Sequence, residues 1–128
     1  MQACTYLIVF LSIPLAGAAG QEPDSLPPGV TSQMLRNGQL LYEGPGLCTS
    51  CHGKGGNGIP NAGSDLTDTT WVHSDGSFEG ILAQIQVGVP AEHSSTGTRM
   101  PERGASRVTP NQLKAIAAYV WSLSRGAQ

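Results

Sequence analysis

Aromatic residues are scarce in this chain, with seven among 128 positions, and charged residues make up only 12%. No apolar run approaches the roughly 20 residues of a membrane-spanning helix. The longest, Tyr6 to Leu15 (YLIVFLSIPL), is interrupted by Pro14. A basic excess is also missing. Seven Lys and Arg against nine Asp and Glu give a formal net charge of −2, which argues against the basic footprint of a nucleic-acid binder. Nothing resembles a catalytic triad or an HExxH helix. The glycine-rich stretch Gly53 to Gly58 lacks the Lys-Ser/Thr pair and preceding strand of a phosphate loop. No segment alternates polar and apolar residues over a useful length, so no strand is expected. The length admits one domain.

Residues 1–19 read as a signal peptide. Small residues, Ala16-Gly17-Ala18-Ala19-Gly20, follow the apolar run and offer a cleavage site near Ala18 or Ala19. Met1 to Thr5 carry no Lys or Arg, and a short buried helix is the alternative reading. Export implies a periplasmic or otherwise extracytoplasmic location. Tyr6 and Phe10 leave with the leader, so five aromatics remain for the mature domain. That supply is thin for about 110 residues, and something other than side chains is expected to fill the centre. Cys4 leaves too, and the mature chain keeps two cysteines, which would tend to oxidise if unoccupied.

Residues 20–31 form a proline-rich linker, and 32–126 the folded domain. The first helix is expected from an N-cap at Ser32 through Met34, Leu35, Leu41 and Tyr42 to Gly44-Pro45-Gly46. Leu47 to Asp65 is dense in glycine and reads as loop. A short helix is expected from Asp68 through Trp71. From Ser77, the residues Phe78, Ile81, Leu82 and Ile85 mark one face of an amphipathic helix that Gly88 ends. Val89 to Ser106 reads as another loop. Thr109, Pro110 and Gln112 form a capping-box pattern at the start of the last helix, whose stripe is Leu113, Ile116, Ala117 and Val120, flanked by Tyr119 and Leu123. The class is all-α, with three main helices and long loops.

Cys48-Thr49-Ser50-Cys51-His52 is the C-x-x-C-H pattern of c-type haem attachment. Two thiols at this spacing each add to one vinyl group of a haem, and the next residue brings its imidazole to the iron. A thioredoxin-type pair follows a strand, and none is expected before Cys48. Zinc held by Cys48, Cys51 and two of His52, His73 and His93 would place adjacent residues on one tetrahedral ion. A plain disulfide would leave His52 without a role. For the sixth position on iron the candidates are Met34, Met100, His73 and His93. Met100 sits in a polar loop, TGTRMPERG, where core filling is a poor explanation. A thioether ligand also favours ferrous iron and raises the potential. His93 is the main rival, and His73 follows Trp71 closely.

These residues resemble a class I cytochrome c from Ser32 to Ser124, about three-quarters of the chain. The matching series is Gly38 and Tyr42, Cys48 to Gly53, Gly55-Gly56-Asn57-Gly58 with Pro60-Asn61, Met100-Pro101, and the helix carrying Tyr119. Leu66 to His73 (LTDTTWVH) further resembles the monohaem domains in the diheme subunit of cbb3-type oxidases and their soluble relatives. The resemblance implies one haem c bound through Cys48 and Cys51, with iron ligated by His52 and Met100. It also implies that the Pro60 carbonyl accepts the other ring N–H of His52. Trp71 or Arg99 would bond a propionate. Gly38, costing about 1 kcal/mol relative to alanine in a helix, would mark a close crossing of the first and last helices, with Gly38 and Tyr42 facing Ile116 and Tyr119.

The function so implied is a non-enzymatic exported carrier of single electrons, cycling Fe(III) and Fe(II) between redox protein partners. The alternatives are a cytochrome subunit bound tightly to a dehydrogenase or terminal oxidase, and a ligand-binding or peroxidatic haem protein with an open sixth position. Along the chain, Arg99, Arg103, Arg107, Lys114 and Arg125 all follow Val89, whereas seven of the nine acids precede it. A basic rim around the Met100 loop, docking to an acidic partner patch, is the corresponding expectation.

Overall fold

A computed structural model describes residues 25–126. The expected signal peptide and the start of the linker lie outside these residues. Four α-helices follow in order: α1 (Ser32–Glu43), α2 (Thr49–His52), α3 (Phe78–Val87) and α4 (Pro110–Leu123). Short 3-10 turns occupy Ala91–His93 and Glu102–Ala105. Among the described residues extended pairing is limited to the isolated bridges Ile59–Gly63 and Val89–Met100, so the all-α class stands.

The helix ends follow local chemistry. Thr31, one residue before the expected cap, accepts the Met34 N–H at 3.2 Å on its hydroxyl. Ser77 accepts the Gly80 N–H at 3.0 Å to start α3. Thr109 and Gln112 close the capping box in both directions, at 3.3 and 2.8 Å, and so satisfy two otherwise orphaned donors at the start of α4.

Two expectations change. The stretch after Leu47 is not all loop, because Thr49–His52 form one helical turn. Its residues include no glycine, and Gly53 at φ 75° ends it. The helix expected from Asp68 is absent. Asp65 accepts the backbone N–H and hydroxyl of Thr67, Asp68 accepts the Thr70 N–H, and Asp75 accepts both groups of Ser77. Short side chains that bond the backbone two residues on favour turns over a helical ladder.

Helix α1 packs on α4, and α3 packs on α4 beside it. At the α1–α4 crossing a Cβ on Gly38 would stand 1.9 Å from the Ala115 carbonyl oxygen and 2.8 Å from Tyr119 Cβ. The crossing therefore requires glycine. The residue directly under Gly38 is Ala115, while Ile116 lies against Gly46 and Tyr42 meets Tyr119. Helix α4 is buried from Ala115 to Leu123 on every face, wider than a single stripe, because α1, α3 and the loops surround it. The core unites Tyr42, Phe78, Ile81, Ile85, Val108, Ile116 and Leu123. Val30 belongs to it and Leu26 packs against it, so the last residues of the proline-rich stretch are anchored to the domain. No helix among the described residues is long and apolar enough to cross a membrane.

Candidate functional site

A cavity of about 370 Å³ opens between α2, α3, α4 and the loops joining them, within the usual range of roughly 300–1,000 Å³ for cofactor pockets. Cys48, Cys51 and His52 line it from one side, and Met100 and Pro101 also line it. Leu66, Trp71, Ile81, Ile85, Val89, Ile116 and Val120 supply apolar wall.

The α2 turn presents the motif. The His52 N–H bonds the Cys48 carbonyl at 3.0 Å and the Gly53 N–H bonds that of Thr49 at 3.1 Å. Leu47, immediately before it, takes φ 61°, a left-handed conformation that costs a bulky residue of order 1 kcal/mol or more. Both thiols are free and partly buried. Burial pushes the Cys48 thiol up to about 11, its own backbone hydrogen bond offsetting this and the nearby Cys51 adding to it. Cys48 is thus held protonated, and both cysteines line the cavity.

The second nitrogen of the His52 ring is fixed, although by a different partner from the one implied by the resemblance. Nδ1 lies 2.8 Å from the carbonyl oxygen of Ser64, and a carbonyl accepts only, so Nδ1 carries the proton and Nε2 is left as a donor to a metal. Pro60 is exposed and absent from the cavity wall. The cause is the Ile59–Gly63 bridge, in which Ile59 and Gly63 exchange bonds of 3.0 and 3.1 Å. That tight turn carries Pro60 and Asn61 at its tip and returns the chain so that Ser64 reaches the imidazole. Gly63 allows the approach, since a Cβ there would lie 2.6 Å from the Cys51 carbonyl oxygen. The bridge pattern, invisible to motif reading, is what identifies Ser64.

Met100 is held by backbone. Its N–H and carbonyl exchange bonds of 2.9 and 2.8 Å with Val89, just past the end of α3. Gly88, at φ 72°, leaves room for the Met100 carbonyl, which a Cβ would approach to 2.4 Å. Of the four candidates for a sixth ligand, Met100 and His73 line the cavity, whereas Met34 and His93 do not. Met34 packs on the core, and His93 is exposed in its 3-10 turn. Trp71 and Arg99 both reach the wall. Thr98 donates its hydroxyl to the Asn61 carbonyl at 2.6 Å, joining the Met100 loop to the turn after the motif.

The charges differ from the basic rim expected along the chain. Arg99 is the one base of the five that lines the cavity, and Asp65 and Asp68 line it too. Arg103 instead donates to the Val108 carbonyl, and Arg125 stacks over the Trp121 ring at 4.2 Å. The acids precede Val89 in sequence, but the loop after the motif folds back past His52 and brings two of them to the mouth. Leu47 and Val72, exposed by 50% and 64%, also border the cavity.

The residues fit a haem. Two free thiols, one oriented imidazole, one thioether and apolar walls converge on a single cavity. A zinc site has no comparable support, since among the described residues no three His, Cys, Asp or Glu side chains group to hold a metal.

Comparison with known proteins agrees. The chain is 35% identical over 80 residues to the cbb3-type cytochrome c oxidase subunit CcoP of Rubrivivax gelatinosus, covering 62% of this chain and 23% of that protein. It is 34% identical over 79 residues to subunit FixP of Rhizobium etli, covering 60% and 26%. The chain thus spans about a quarter of the length of these curated relatives. Cytochrome CL from Methylophaga aminisulfidivorans shares the fold with a TM-score of 0.55 at 21% identity, over 73% of this chain and 55% of that one. The family model described as cytochrome c oxidase, cbb3-type, subunit III matches residues 33–120. That span takes in every residue lining the cavity, and the chain belongs to this family, as a c-type cytochrome with one covalently attached haem c.

Proposed function

We propose that this domain carries single electrons between redox proteins, with the haem attached at Cys48 and Cys51 and its iron ligated by His52 and Met100. The bound group supplies a one-electron Fe(III)/Fe(II) couple. The chain's residues hold and tune it. The Ser64 carbonyl orients the His52 ring and makes it a stronger donor. Val89 fixes the Met100 backbone, and the apolar walls keep water from the centre. The observation that carries the reading is that Cys48, Cys51, His52 and Met100 line one cavity, which Met34 and His93 do not reach and His73 shares. Partners would meet the domain at the mouth, where Leu47 and Val72 are exposed beside Arg99, Asp65 and Asp68. The leader reading puts this work on the exported, periplasmic side.

The visible spectrum of haem-loaded protein tests the proposal. A weak red methionine–iron charge-transfer band in the ferric state, lost in Met100→Ala and kept in His93→Ala, is the expected result. Retention of the band in Met100→Ala, or its absence from the wild type together with a changed low-spin spectrum in His73→Ala, would overturn the ligand assignment. Rapid cyanide binding by the wild-type ferric protein would point to an open iron and a ligand-binding or peroxidatic protein.

A second reading has support from the relatives, which are named as oxidase subunits. The domain would then serve as a bound cytochrome of a terminal oxidase. Copurification of the native protein with a large oxidase, stable to high salt, would decide for that reading over a free shuttle.

A further inference from the structure

We propose that Gln84 is the positioning residue for Met100, acting through a single peptide unit between α3 and the Met100 loop. The inference rests on the reading of Met100 as the sixth ligand.

The argument begins at Gly88. A side chain there would collide with the Met100 carbonyl at 2.4 Å and the Glu102 backbone nitrogen at 2.8 Å, so the contact demands glycine. Glycine is also the residue with the widest conformational choice, which makes this junction a natural hinge just where the ligand loop is attached. On the α3 side little side-chain packing restrains it, since Gln86 and Val87 are exposed and the last deeply buried anchor of α3 is Ile85; past the junction Val89 is buried.

Gln84 removes that freedom from both sides of Gly88. Its backbone carbonyl accepts the Gly88 N–H at 2.9 Å, and its side-chain Nε2 donates to the Gly88 carbonyl at 2.6 Å. A carbonyl only accepts, so the amide orientation is set by the bond itself. The Gly88 carbonyl belongs to the same planar peptide as the Val89 N–H. That N–H donates to the Met100 carbonyl at 2.8 Å, and the Met100 N–H returns to Val89 at 2.9 Å. Holding one end of the peptide therefore orients the other, and a chain of aligned amides strengthens each bond. Gln84 lines the cavity as well, so the residue that aims the loop stands in the same wall as the ligand it aims.

The test uses the haem-loaded chain and the rate at which excess imidazole replaces the sixth ligand of ferric iron. Gln84→Met keeps the length of the side chain and removes its donor. The expected result is unchanged covalent haem content and helix signal, a weaker methionine–iron band, and imidazole capture about tenfold faster, as expected for losing one hydrogen bond's stabilisation. Gln84→Glu, which cannot donate when ionised, should behave alike and carries the comparison if the Met variant does not mature. Gln86→Met, an exposed change on the same helix, should capture imidazole at the wild-type rate. Rates within twofold of wild type in the Gln84 variants, or equal acceleration in Gln86→Met, would overturn the proposal. Met100→Ala separates the two readings. If it lacks the band while the Gln84 variants match wild type, the positioning role alone fails. If it keeps the band and the wild-type rate, the ligand assignment fails and the inference with it.

Discussion

Tyr42 of α1 and Tyr119 of α4 meet edge to face, with ring centroids 5.3 Å apart and planes at 65°. The same Tyr42 donates its hydroxyl to the Gly53 carbonyl at 2.9 Å, so one side chain links the helix pair to the end of the haem-binding turn. Burial, with smaller effects from Cys48, Tyr119 and Glu43, holds its hydroxyl far above the ordinary tyrosine value, and it stays a donor at any working pH.

Tyr42→Phe should therefore keep the ring contact and lose the bond, leaving the Gly53 carbonyl without its partner. The expected cost is about 1–2 kcal/mol, read as a lower denaturant midpoint of the haem-loaded protein. An unchanged midpoint would mean that the hydroxyl adds nothing to the anchoring of the turn.

Gly38→Ala is expected to be the most damaging small substitution in the domain. The new Cβ would overlap the Ala115 carbonyl, at 1.9 Å, and neither helix backbone can yield locally. Overpacking of a tight core costs about 1–3 kcal/mol, and the upper end applies here because backbone is the obstacle. Thermal unfolding measures it, with Asn37→Ala, an exposed change on the same helix, as the mild comparison.

Gly63→Ala probes the His52 ring. A Cβ at 2.6 Å from the Cys51 carbonyl oxygen would push the returning chain off α2 and draw the Ser64 carbonyl away from Nδ1. The imidazole then becomes a poorer donor, ferrous iron is relatively favoured, and the midpoint potential should rise. Spectroelectrochemical titration reads this directly, and a fall in potential would count against the Ser64 role.

The turns that stand in place of a helix around Asp68 predict an acid-sensitive loop. The Ser77 hydroxyl and N–H hold the Asp75 carboxyl below its ordinary value of 3.8, and Thr67 does the same for Asp65. A carboxyl depressed in the folded state contributes stability above its unfolded value, and that contribution disappears as pH falls through the lower folded value. Stability should decline below about pH 4, and Asp75→Ala should flatten that decline. Circular dichroism melts across pH 2 to 6 check it, and equal slopes in both proteins would remove Asp75 as a cause.

Much of the site is legible in the amino-acid sequence. The C-x-x-C-H spacing names its own chemistry, because two thioethers and an imidazole on one short turn suit few other groups. The caps at Ser77 and Thr109 are legible because they are short-range hydrogen bonds between residues a turn apart. The helix expected at Asp68 fails because residue type alone does not weigh side-chain competition for the backbone. Pro60 is misplaced for a related reason: the resemblance carries a residue over, while the Ile59–Gly63 bridge decides which carbonyl arrives at the ring. The mixed charge of the cavity wall, Arg99 with Asp65 and Asp68, is not legible because order along a chain says little about neighbours across a loop.

By itself, then, the sequence determined the all-α class, the attachment motif, the starts of α3 and α4 and the shortage of aromatic filling that a bound macrocycle explains. Each of these follows from spacing within a turn or from composition. Only the tertiary structure decided that Met100 lines the cavity and His93 does not, that Ser64 holds the His52 ring, and that Gln84 stands behind the Met100 loop. Those choices depend on which backbone groups meet after loops of many residues close, and loop closure is settled by packing at Gly38, Gly63 and Gly88, where the absence of a side chain lets distant segments touch.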